Sequence, residues 1–220
     1  MRINKFIAQA TGLSRRAADT AINADRVRSN GQPVRAGHDV TADQVVTLDG
    51  TILRAPSLHT TIMINKPPGY VSSRTGQGSQ TIYDLLPSEL HRLKPVGRLD
   101  KDSSGLLLLT DDGELANQLT HPRYGKTKVY EIALDRPLEP LHQQMISEHG
   151  VQLDDGPSRL LLEKMADNSL RWRVSLHEGR NRQIRRTFAA LGYSVVHLHR
   201  THFGNYSLPA SLTPGRHAPI

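Results

Sequence analysis

An α+β architecture in two parts is what this 220-residue sequence predicts. Three observations carry that prediction. Beyond residue 58, strand-like and helix-like stretches mix without the strict alternation of a doubly wound fold, which favours helices packed on a mainly antiparallel sheet. The first 49 residues have a compact plan of their own and most of the local basic excess, with Arg2, Lys5, Arg15, Arg16, Arg26, Arg28 and Arg35 set against Asp19 and Asp25 up to Arg35. Between the two parts, "GTILRAPSLHT" loses periodicity and carries a Pro and a Ser. The expected division is a small domain at 1–49, a linker at 50–58 and a larger domain at 59–220.

The elements follow in chain order. In "INKFIAQA", Ile3, Phe6, Ile7 and Ala10 fall at helical spacing and Gly12 ends the turn. Ser14 is placed to cap "RRAADTAINAD", whose inward face would be Ala18, Ala21 and Ile22. Asn30-Gly31 supplies the positive-φ pair of a tight hairpin, and "VVTLDG" a further short strand. In the larger part "TTIMINK", "GLLLLT", "KVYEIALD", "SRLLLEKM", "LRWRVSLHE" and "SVVHLHR" predict strands, while "TIYDLLP", "GELANQLTH", "PLHQQMISEH" and "NRQIRRTFAAL" predict helices.

Composition narrows the function. There is no cysteine, which excludes disulfides and thiolate metal sites, and no apolar run approaches the roughly 20 residues needed to cross a bilayer. The start "MRINKFIAQA" lacks the apolar core of a signal peptide, so a cytoplasmic protein without membrane association is expected. A net charge of +7 favours a polyanionic partner, usually nucleic acid.

Four constellations could carry chemistry. As a helix, "NRQIRRTFAAL" sets Ile184, Phe188 and Leu191 toward the core and Arg182, Arg185 and Arg186 on a neighbouring face, with Arg180 in the lead-in; the set suits an anion or a solvated face. "HLHRTH" gathers His197, His199 and His202, but without cysteine or a nearby acid it reads as RNA contact or surface and no metal is expected. Tyr130 fits a core ring with its hydroxyl at the rim, or a ring that stacks on a base. Asp100 stands where "GRLDKDSS" meets "GLLLLT", a run apolar on both faces, and a carboxylate there needs a cation or hydrogen bonds to stay ionised. "INKPPGYVSS" reads only as a sharp, rigid turn after a strand.

In order, "NKPPGYVSS", "GRLDKDSSGLLLLTDDGEL", "KVY" and "EGRNRQIRR" resemble the RsuA-type family of rRNA pseudouridine synthases, and "RINKFIA", "SRRAAD" and "NGQPV" resemble the S-four RNA-binding domain that commonly precedes that catalytic domain. The resemblance implies Asp100 as the essential carboxylate, Tyr130 as the ring against the target base and Arg185 as the cation paired with Asp100, within about 4 Å. It implies Arg98, Leu99 and Ile184 around the flipped nucleotide, and RNA contacts from Arg2, Lys5, Arg15, Arg16, Arg180, Arg182 and Arg186. An isomerisation implies no cofactor. The implied partner is ribosomal RNA or a pre-ribosomal particle, met by a monomer. "GRNRQIRR" and "DGELANQLTHP" favour large-subunit rRNA, though "DGELA" and "HLHR" also suit small-subunit enzymes. Two departures stand out: Ala24-Asp25 replaces a glycine turn, and the family pattern implies a short acidic or helical tail beyond "LTPGRHAPI". Other readings of the same residues are a non-catalytic ribosome-assembly factor and, from charge alone, a DNA-binding regulator.

Overall fold

The computed structural model describes residues 1–41, 43–54, 59–165 and 169–220. The chain forms two compact units, Met1–Thr60 with Asp111–Gly113, and Thr61–Thr110 with Glu114–Ile220.

The first unit is built as its apolar spacing dictates. Helix Ile3–Thr11 buries Ile3 and Ile7 and stops at Gly12, whose left-handed backbone (φ 77°) lets its N–H reach the Ala8 carbonyl. The Ser14 hydroxyl caps helix Arg15–Asn23 by accepting from the Ala17 N–H, and Ala18, Ala21 and Ile22 face inward. Four short strands follow in the order Gln32–Pro33, Val27–Ser29, Val46–Leu48 and Thr51–Ile52. Asn30 and Gly31 turn the first hairpin with positive φ. Asp25 also has a positive φ of 55°, so an aspartate fills the left-handed turn expected of glycine, a conformation Asp tolerates better than most side chains.

The expected linker needs correction at its start. Thr51–Ile52 pairs with Val46–Leu48 around Asp49 and Gly50, both at positive φ, so the small sheet runs past residue 49. Residues 55–58 of that linker lie outside the described residues.

The second unit is a nine-stranded sheet. Its main path runs Leu161–Lys164, Arg171–Leu176, Lys128–Leu134, Val195–Phe203, Ser104–Thr110, Thr61–Lys66 and His217–Pro219. Tyr206–Ser207 and Lys94–Val96 pair beside it. Every pairing is antiparallel except the central one, where His199 and Arg200 lie parallel to Ser104 and Gly105.

The leucine run explains why two layers form. Leu107 and Leu109 enter the larger core with Ile62, Ile64 and Tyr130, while Leu106 and Leu108 enter a second core with Met63, Val96 and Phe203. All four leucines are fully buried, and each contributes about 1.5–3 kcal/mol relative to exposure. Gly105 keeps the central strands close: its φ is 105°, and a Cβ there would stand 2.2 Å from the Arg200 carbonyl oxygen.

The helical stretches are shorter than the pattern suggests. "TIYDLLP" gives only a 3₁₀ turn at Ile82–Leu85, and "PLHQQMISEH" passes from α-helix at Pro140–Gln144 to a π turn at Met145–His149. Helix Gly113–Thr120 forms as its pattern suggests. Helix Gln183–Ala189 buries Ile184 and Phe188, with Arg182 just outside its start. Among the described residues no helix is long and apolar enough to cross a membrane.

Candidate active site

The loop Gly97–Ser103 feeds the leucine strand, and its main chain is held by two buried side chains of the segment "NKPPGYVSS". Ser72 Oγ donates to the Leu99 carbonyl at 2.8 Å and accepts from the Leu99 N–H at 3.1 Å. Lys66, wholly buried, donates from Nζ to the carbonyls of Ser103 (2.7 Å), Asp100 (3.0 Å) and Pro67 (3.1 Å). Burial pushes the Lys66 ammonium down to about 8, against the opposing pull of Asp102 and Asp100. The sequence pattern gave no sign of this clamp, because a lysine is seldom fully buried and nothing in the spacing marks its acceptors.

So anchored, Asp100 presents a side chain 37% exposed to a cleft of about 560 Å³. That volume lies within the range of small-ligand sites. The cleft collects Arg98, Leu99, Asp100, Tyr130, Arg180, Arg182, Ile184 and Arg185. Tyr130 borders the cleft at 8% exposure, packed in the larger core, and among the described residues its hydroxyl has no hydrogen-bond partner. Arg98 is exposed beside the cleft.

The cation facing Asp100 differs from the expected one. Arg182 Nη1 lies 3.5 Å from Asp100 Oδ2, and both Arg182 terminal nitrogens donate to Asp102 at 3.1 Å. Arg185 pairs with Asp102 instead: its Nε is 3.3 Å from Asp102 Oδ2, while its Nη2 donates to the Asp102 carbonyl and its Nη1 to that of Val195. The direct Asp100–Arg185 pair inferred from the family pattern is therefore corrected. Asp102 sits two residues along, closer to the helix that carries Arg185, and takes its charge. The hydrogen bond from Arg182, with further help from Arg185, holds the Asp102 carboxyl below its usual range despite partial burial. Arg182 also adopts a positive φ of 46°, a strained backbone for a side chain of its size, and its fork on Asp102 helps keep it there.

Two expected RNA contacts are occupied within the fold. Arg180 pairs with Asp155 and Glu178 and donates to the carbonyls of Gly156 and Pro157; Arg186 pairs with Asp154 and with Asp155, the latter at 2.7 Å. They tie the arginine segment to the turn between strands Val151–Leu153 and Gly156–Ser158, and Arg186 does not line the cleft. In the first unit Arg2 pairs with Asp39 at 3.3 Å and Arg15 donates to Asn4 at 3.1 Å, while Lys5 is half-buried and Arg16 exposed. Of the histidines, His199 contacts the Ser104 hydroxyl at 2.8 Å and stacks on His197 at 5.9 Å. Residues 60–190 match the family model described as RNA pseudouridylate synthase, and residues 1–46 match the S4 domain. The chain is 36% identical over its whole length to proteins named ribosomal small subunit pseudouridine synthase A from Yersinia pestis and Escherichia coli K12, covering 94% and 96% of them. A solved structure described as a pseudouridylate synthase is 34% identical and superposes with a TM-score of 0.72, covering 100% of this chain and 96% of the other.

Proposed function

The chain belongs to the RNA pseudouridylate synthase family, and from that premise we propose that it isomerises a uridine of small-subunit ribosomal RNA, with Asp100 as the catalytic carboxylate. The observation that carries this reading is the fixed acid: Asp100 faces a cleft of nucleotide size on a main chain clamped by Lys66 and Ser72, with Tyr130 in the same wall. The relatives matched along nearly their whole length are named as small-subunit enzymes, which favours the small subunit over the large-subunit expectation.

The target uridine must leave its stack, which costs a few kcal/mol. Stacking on Tyr130 offsets about 1–3 kcal/mol of that. Asp100 then starts cleavage, by attack on ribose C1′ or as a base toward the sugar. The C1′–N1 bond breaks and its electron pair leaves with uracil. The ring turns and C5 joins C1′ as the Asp100–C1′ bond breaks and frees the carboxylate, or, on the base route, as Asp100 returns the proton to the sugar. The C5 proton then passes to solvent and N1 takes up a proton. Atoms and electrons balance within the nucleotide, so the reaction consumes no redox partner or nucleotide. Arg182 Nη1 stands 3.5 Å from Asp100 Oδ2 at the reacting centre, and Arg185 holds the neighbouring Asp102.

The test is tritium release from rRNA labelled at uridine C5, offered as separate small- and large-subunit RNAs, naked and as assembly particles. Release from the small-subunit RNA alone is expected. Release confined to the large-subunit RNA sinks the substrate assignment, and no release from either sinks the activity.

A further inference from the structure

Among the described residues, one buried cation of the cleft has no acidic counterpart. Arg200 is 1% exposed yet borders the cleft. Its Nε donates to the Leu106 carbonyl at 2.7 Å and its guanidinium lies 4.9 Å from the Phe203 ring centre. Its Nη2 is buried with no hydrogen-bond partner, and among the described residues no carboxylate pairs with it. A buried charge without a partner costs several kcal/mol. The charge is felt nearby: Lys128 is pushed down by burial and then by Arg200.

Register shows where this charge points. Arg200 is the direct cross-strand partner of Tyr130, so both side chains leave the same face of the sheet with Cβ atoms about 5 Å apart. On its other side the partner is Gly105, whose lack of a side chain lets the two backbones close up. The ladder slips just after Arg200, between Arg200 and His202, and bulges of this kind re-aim a side chain. Arg98 and Arg182 are the more exposed cations of the cleft and suit backbone phosphates. A cation in the floor beside the stacking ring addresses the edge of the base instead.

We propose that Arg200 donates from its unpartnered nitrogen to a ring carbonyl oxygen of the flipped uracil and stabilises the negative charge that gathers there as the C1′–N1 bond breaks. This rests on reading the cleft as the uridine-isomerising site. The pair released from C1′–N1 spreads from N1 onto the ring carbonyl oxygens, so the contact strengthens as the base leaves. It is withdrawn when C5 joins C1′, the C5 proton goes to solvent and N1 is protonated. A donor placed where charge develops acts on the rate more than on ground-state binding.

The experiment compares wild type with Arg200→Gln and Arg200→Lys on C5-tritiated small-subunit rRNA, measuring single-turnover release, RNA affinity and its salt dependence. Arg200→Gln is expected to slow release about 100-fold, with affinity within about threefold and an unchanged salt slope, and Arg200→Lys to recover part of the rate. Weakened affinity with a shallower salt slope, the mark of a phosphate contact, overturns the proposal, as does an unchanged rate. If Arg200→Gln loses its native circular dichroism, wild type is assayed by nucleoside chromatography on RNA transcribed with 2-thiouridine or 4-thiouridine. A tenfold slowing with one of them supports the contact, and equal rates with both overturn it. A wild type inert on both subunit RNAs overturns the functional reading, whereas an active wild type matched by Arg200→Gln overturns only this inference.

Discussion

The loop around Asp100 and the arginine segment Glu178–Arg186 face the same cleft, yet they are held in opposite ways. The loop is fixed from beneath by the wholly buried Lys66 and by Ser72, through hydrogen bonds to main-chain atoms shielded from water. The arginine segment is held chiefly through carboxylates that are partly or mostly exposed, Asp155 39%, Asp102 48% and Asp154 84%, alongside donations from Arg180 and Arg185 to main-chain carbonyls. Buried hydrogen bonds to a charged donor are worth about 1.5–3 kcal/mol, while exposed ion pairs contribute about 0–1 kcal/mol and yield to salt. The acid is thus set before RNA arrives, and cations such as Arg182 can exchange a carboxylate for a phosphate at little cost.

Breaking the reactive end of the clamped side gives the largest effect. Asp100→Asn should lower tritium release by about 10⁴-fold, with thermal stability nearly unchanged because the side chain is partly exposed. Full turnover by this variant removes Asp100 from the reaction. Next comes the clamp itself. Lys66→Met strands three carbonyls, and should cost about 2–3 kcal/mol in urea unfolding and slow single turnover about tenfold or more. A destabilised variant with wild-type turnover would show that the clamp holds the fold without setting the acid. On the exchangeable side, Arg182→Gln should weaken RNA binding several-fold and reduce the salt slope by about one, with the fold intact. An unchanged slope removes Arg182 from phosphate contact.

A pH dependence sharpens the same contrast. Lys66 titrates at about 8 in the folded chain against 10.5 when free. Between those values the unfolded chain binds more protons, so the Lys66 contribution to stability rises with pH across that window, and below about 8 the burial cost of the charge is carried in full. Wild type should therefore gain thermal stability relative to Lys66→Met from pH 8 toward 10.5. A flat difference shows that Lys66 is not desolvated.

Local patterns were legible where a residue's neighbours in sequence are also its neighbours in space. Ile3 and Ile7, the Ser14 cap, the Asn30-Gly31 turn and the two-faced leucine strand all obey periods or turn chemistry that spacing reveals. Asp49-Gly50 is the same kind of hairpin signal, but the Pro and Ser that follow drew the expected linker back over Thr51–Ile52. The site was legible as a collection, since Asp100, Tyr130 and Arg185 border one cleft. Its pairings were not. Whether Asp100 or Asp102 receives Arg185 depends on how a loop and a helix some 80 residues apart are docked, which no spacing encodes. Arg200, inside "HLHRTH", carried no sequence mark separating a buried cation from a surface one.

The sheet order has a consequence for the chain as it is made. Strand Val195–Phe203 lies between Lys128–Leu134 and Ser104–Thr110, although it follows both in sequence by many residues. As the chain emerges from a ribosome, Thr61–Thr110 can pair as one half-sheet and Lys128–Leu176 as another, each with an open edge. The two halves join only when Val195–Phe203 inserts and closes both edges through contacts distant in sequence, the slow kind in folding. Asp100 belongs to one half and Tyr130 to the other. Until that strand is in place the growing chain holds an acid and a ring but no cleft between them, so synthesis itself delays the appearance of activity.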